Sequence, residues 1–89
     1  MADVNQPRDH VPPFAQPFDR DGVGDGWISV RHRHEGHWWR FDVADKNGRL
    51  QLVHHAHRTG NAGGRPIEDL AIDAYDFATL EARRLGMVD

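Results

Sequence analysis

The chain has no cysteine, which excludes a disulfide framework and any thiolate metal site. No apolar run approaches the roughly 20 residues that cross a bilayer. The opening "MADVNQPRDHVPPF" lacks the apolar core of a signal peptide. These absences lead to the expectation of a soluble, cytoplasmic protein with no membrane partner. Motifs of catalysis are missing too. No serine stands in a Gly-x-Ser-x-Gly setting, and Ser29, Thr59 and Thr79 have no recognisable activating neighbours. "TGNAGGRP" is glycine-rich but has no Gly-Lys-Ser/Thr ending, so it is not a P-loop and reads as a flexible connector. "DRDGVGDG" has the look of a calcium loop without its closing glutamate or flanking helices. With 89 residues there is one small domain and little chain to wall a deep cleft. A non-enzymatic binding module is the expectation.

What the chain does have is charge, unevenly placed. The net charge of −3 divides into two basic and five acidic residues over 1–30, seven and three over 31–65, and two and six over 66–89. The middle third is therefore cationic, and it holds six of the seven histidines. Local charge governs a local interface, so the acidic total does not exclude an anionic partner.

Residues 1–26 are rich in Pro, Asp and Gly without a period of 2 or 3.6. They read as an irregular arm, mobile over its first ten residues, with Val11, Phe14 and Phe18 available to pin it to the domain. The domain, 27–89, reads as β-β-β-α. Strands are expected at Trp27–His34, His37–Ala44 and Leu50–His55, from alternation and β-branched or aromatic content. Two-residue turns are expected at Glu35–Gly36 and Asn47–Gly48, the second with the residues of a type I′ turn. These turns pair His34 with His37, Arg31 with Arg40, Val30 with Phe41, and Ile28 with Val43. Across the second hairpin they pair Val43 with Leu52 and Phe41 with His54. One face then carries Ile28, Val30, His32, His34, His37, Trp39, Phe41, Val43, Leu50, Leu52 and His54. The other carries Trp27, Ser29, Arg31, Arg33, Trp38, Arg40, Asp42, Gln51, Val53 and His55. Pro66 suits a helix start, and Ile67, Leu70, Ala71, Ala74, Phe77, Ala78 and Leu85 form a helical apolar stripe that Gly86 ends. The expected fold is α+β: a three-stranded antiparallel sheet packed on one C-terminal helix. An exposed edge strand leaves both a monomer and a homodimer open.

Three constellations carry chemistry. Arg31, Arg33, Trp38 and Arg40, with Trp27, lie on the outer sheet face. Arginine beside exposed aromatics suits phosphate and base contacts, so nucleic-acid binding through this face is the leading expectation, with a protein partner of a small regulator or inhibitor, met by this face or by the acidic helix, as the alternative. His32, His34 and His37 share the core face and are candidate ligands for zinc, with "HHAH" at 54–57 offering more. Hydrogen-bonded rim histidines, or histidines partly protonated near an anion, are the plainer reading. Asp69, Asp73 and Asp76 fall on one side of the helix, as a solvated face or a patch for a basic protein.

The order of elements resembles the DNA-binding domain of plant ethylene-response factors and the arm-type domain of tyrosine integrases. "VRHRHEGHW" is similar to that family's Val-Arg-x-Arg-x-x-Gly-x-Trp run, "DKNGRLQLV" to its second turn and third strand, and "EDLAIDAYD" to its helix. The resemblance covers residues 30–76. It implies contact of Arg31, Arg33 and Trp38, and also Arg40, with the DNA major groove. It also places Trp38 at the family's core position, whereas alternation places Trp39 there.

Overall fold

A computed structural model describes residues 17–61 and 63–89. The expected mobility of the first ten residues, and the pinning by Val11 and Phe14, fall outside them. The fold is α+β, an antiparallel sheet covered on one face by a single C-terminal helix. The sheet has four strands where three were expected: β1 (Phe18–Gly24), β2 (Trp27–His32), β3 (Trp38–Lys46) and β4 (Arg49–Arg58), in that spatial order. Helix α1 spans Ile67–Arg84.

Strand β1 corrects the end of the segment read as an irregular arm over 1–26; residues 1–16 of it lie outside the described residues. It pairs with β2 from Phe18↔His32 to Gly24↔Trp27 around an Asp25–Gly26 turn, with an irregularity between Arg20 and Gly22. Gly26 supplies the positive φ, +84°. Two glycines make room for Trp27. A Cβ on Gly24 would run into its indole, and one on Gly22 would stand 3.2 Å from both the indole and Ser29 Oγ. Phe18 enters the core, stacked on Phe77 at 5.7 Å and edge-on to Trp39 at 5.9 Å.

The Asn47–Gly48 turn forms as expected, with φ of +56° and +83°, and sets Val43↔Leu52 and Phe41↔His54. The Glu35–Gly36 turn does not. Residues 33–37 make a longer loop, closed by His32 N–H to His37 O at 2.8 Å and Gly36 N–H to His32 O at 2.9 Å. The β2–β3 register moves by two residues: Arg31 faces Trp38, and Ser29 faces Arg40. Arg31 and Arg40 are thus not opposite each other. A shift of two preserves the side-chain faces, so the division between core and outer face survives. Trp39, not Trp38, is the buried one.

The core is Phe18, Ile28, Val30, Trp39, Phe41 and Leu52 from the sheet against Leu70, Ala74, Phe77, Ala78 and Ala82 from α1. Two expected core residues, Leu50 and Leu85, are 41% exposed. After α1, Gly86 turns the chain with φ +75°, and Val88 takes the inward place. The tail then covers an edge. Asp89 N–H reaches Leu50 O at 3.1 Å, and Leu50 N–H reaches Asp89 Oδ2 at 2.7 Å. The Tyr75 hydroxyl donates to Leu52 O at 2.9 Å. The edge of β4 at Leu50 and Leu52 is thereby satisfied within the chain, which limits edge pairing there. Among the described residues no helix is long and apolar enough to cross a membrane.

Candidate functional site

The outer face gathers the expected residues, but with partners that the sequence reading did not give them. Arg33 Nε meets Asp19 Oδ1 at 3.1 Å, and its Nη2 donates to Phe18 O at 3.0 Å. Trp38 Nε1–H donates to Asp21 Oδ2 at 3.0 Å, and Ser29 Oγ lies 3.4 Å from the same oxygen. Both carboxylates come from β1. Arg40 Nε bonds Asp42 Oδ1 at 3.2 Å, and His55 Nδ1 takes Asp42 Oδ2 at 3.0 Å. Two guanidiniums stack on indoles: Arg40 over Trp27 and Arg58 over Trp38, each 4.7 Å from the ring centroid. Such stacking stabilises by about 0.5–1 kcal/mol at exposed sites. Arg31 is exposed and forms no ion pair among the described residues. The face is therefore mixed in charge, with Arg31, Arg33, Arg40 and Arg58 against Asp19, Asp21 and Asp42. Arg58 belongs to the site but lies beyond the expected strand end at His55; "HHAHR" continues β4 to it, and only the strand's length reveals it.

Of the histidines offered as zinc ligands, His32 and His37 are engaged in hydrogen bonds within the fold. His32 is buried, and its Nδ1 accepts the backbone N–H of Glu35 at 2.9 Å and of His34 at 3.2 Å. Burial holds its pKa below the usual histidine value, with Glu35 pulling the other way and His34, His37 and Arg65 adding to the lowering. His37, 1% exposed, accepts Gly60 N–H at Nδ1, 2.9 Å, and sits 2.7 Å from Arg65 O through Nε2. The acceptor role at Nδ1 places the proton on Nε2. His34 is exposed, with its ring edge-on to that of His32, centroids 5.8 Å apart. No group of three or more His, Asp or Glu side chains able to hold a metal forms among the described residues.

His37 also explains why the described residues of this loop, 59–61 and 63–66, are not a free connector. Besides its two bonds, Asn61 N–H reaches Glu35 O at 2.7 Å, Asn61 Nδ2 reaches His34 O at 3.3 Å, and Arg65 N–H reaches Glu35 Oε1 at 3.1 Å. The two loops lock together at one end of the sheet.

On the helix side, between β3–β4 and the first turns of α1, an apolar groove of about 390 Å³ opens over Trp39 and Phe41. His54 and His57 form one wall, and Ile67, Ala71, Ile72 and Tyr75 the other. Ile72 is 75% exposed. Asp69, Asp73 and Asp76 are exposed on α1. No protein-family model, curated protein or solved structure matches the chain.

Proposed function

We propose that the chain is a binding module that regulates or inhibits another protein, which it meets through its outer sheet face. The observation that carries this reading is the internal pairing of the face: Asp19 and Asp42 hold Arg33 and Arg40, and Asp21 holds Trp38. A phosphate backbone is met by cations that replace its counterions, and here three carboxylates lie among those cations. Tryptophan and arginine in a mixed-charge setting suit a protein partner, where both residue types dominate the binding energy. The stacked and bonded side chains are fixed before binding, which lowers the entropy lost on association. Arg31 favours a second reading, binding of nucleic acid, because it is exposed and unpaired among the described residues. That reading keeps the role implied by the resemblance to ethylene-response-factor and integrase arm-type domains.

The test immobilises the untagged chain and an Arg31→Glu/Trp38→Ala variant, checked for folding by circular dichroism, and passes cell extract over both with and without nuclease. The expected result is one protein retained in near-stoichiometric amount by the wild type after nuclease treatment, and lost from the variant. Retention by both chains, or by neither, overturns the reading. Retention that nuclease abolishes transfers the face to nucleic acid.

A further inference from the structure

We propose that His54 and His57 chelate a divalent late transition-metal ion such as Zn²⁺ or Cu²⁺. The pair is created by an irregularity in β4. On a regular strand, residues three apart project to opposite faces. Here the β3–β4 register slips between Arg40 and Phe41, so His54 lies opposite Phe41 and His57 opposite Trp39. Phe41 and Trp39 both point into the core, and both histidines line the same groove. An extra residue in a strand re-aims side chains in this way.

His54 Nε2 and His57 Nδ1 stand 2.9 Å apart, with ring centroids 5.0 Å apart. Two imidazole nitrogens bound to one ion at about 2.0–2.1 Å are separated by about 2.9 Å at a right angle and by about 3.4 Å at a tetrahedral angle. The pair is already spaced for one ion. In its absence the N–H of one ring donates a hydrogen bond to the bare nitrogen of the other. Ion binding moves that proton to the far nitrogen of the same ring, a change of tautomer with no net proton loss from the neutral pair. Both residues are exposed, so the ion enters from solvent. His54 is steadied edge-on against Phe41, centroids 6.3 Å apart. Two imidazoles leave the remaining coordination positions to water, which makes this an open site. Its donors differ from His32, His34 and His37, and it lies on the face opposite the proposed protein interface.

The full untagged chain, stripped of metal and held at about pH 7.5, where imidazole is mostly neutral, is titrated with Zn²⁺ by calorimetry and with Cu²⁺ by tryptophan quenching. One equivalent should saturate the protein, with Cu²⁺ bound more tightly than Zn²⁺. His54→Ala and His57→Ala should each weaken binding about tenfold or more, since loss of even an outer partner of a ligand does as much. His34→Ala should bind like the wild type. Both key substitutions are at exposed positions, and an unchanged thermal midpoint without metal shows that the fold is kept. Binding that never saturates, or wild-type affinity in either His54→Ala or His57→Ala, overturns the proposal.

Discussion

Gly60 passes so close to the β2–β3 loop that a Cβ on it would overlap the carbonyl of Gly36, whereas a Cβ on Gly63 meets nothing within 4 Å. Both glycines belong to one loop, and a composition-based reading treats them alike. Backbone cannot move aside as a flexible side chain can, so Gly60→Ala is expected to cost about 2 kcal/mol or more. Gly63→Ala should lie within about 1 kcal/mol of the wild type, on the stable side where the unfolded chain loses freedom. Urea denaturation midpoints distinguish the two. His32 gives a prediction in pH. Its folded pKa is depressed, mainly by burial, so below the ordinary histidine value the unfolded chain binds more protons than the folded one. Its contribution is present above about pH 6.5 and is lost as pH falls from there toward the folded pKa. Protonation would also put a hydrogen on Nδ1, which accepts the N–H groups of His34 and Glu35. The thermal midpoint of the wild type should therefore drop more steeply between about pH 7 and pH 5 than that of His32→Asn, which keeps an acceptor without a titrating group. Equal slopes would remove His32 from the account.

At the level of elements, β1 separates what the sequence discloses from what it hides. The Asn47–Gly48 turn, the inward alternation of Ile28, Val30, Trp39, Phe41 and Leu52, and the stripe Leu70, Ala74, Phe77 and Ala78 are local patterns, and each is found where local reasoning puts it. Strand β1 has no such pattern. Of its seven residues, Phe18 alone is buried, and Val23 is 44% exposed. It belongs to the sheet because its backbone pairs with β2 and its glycines receive the Trp27 ring, and those are tertiary facts. Its Asp25–Gly26 turn lies in "DRDGVGDG", whose spacing of aspartates and glycines is shared by calcium loops and by hairpin turns. Trp27, Arg31, Trp38 and Arg40 are legible for the same reason as the core, by alternation, whereas Arg33 lies in the β2–β3 loop and Arg58 beyond the expected end of its strand. Their counter-charges are not legible, because Asp19 and Asp21 lie on β1, which has no local pattern of its own. If β1 is integral to the fold, Phe18→Ala removes an aromatic in contact with Trp39, Phe77 and His32, and should cost about 3–5 kcal/mol in chemical denaturation. A loss below about 1 kcal/mol would mean that β1 is a detachable arm after all.

For the molecule as a whole, the division of charge along the chain is partly undone by folding. The cationic middle third is folded against β1, whose Asp19 and Asp21 come from the acidic first third. They bond Arg33 and Trp38 on the face that would otherwise be the most basic surface. Exposed pairs of this kind add little stability, about 0–1 kcal/mol each, so their larger effect is on the field that a partner meets. Asp19→Asn/Asp21→Asn should accordingly leave the thermal midpoint nearly unchanged while raising the charge of this face by two. If those carboxylates set the choice of partner, the double variant should bind a short fluorescent DNA at low salt about tenfold or more tightly than the wild type. The added affinity should fall as salt rises, with a logarithmic slope steeper by up to about two, because each newly engaged phosphate releases close to one counterion. Fluorescence polarisation across a salt series measures both quantities. Tight, strongly salt-dependent DNA binding already present in the wild type, and unaltered in the variant, would show that the β1 carboxylates do not govern the surface and would return the sheet face to a nucleic-acid role.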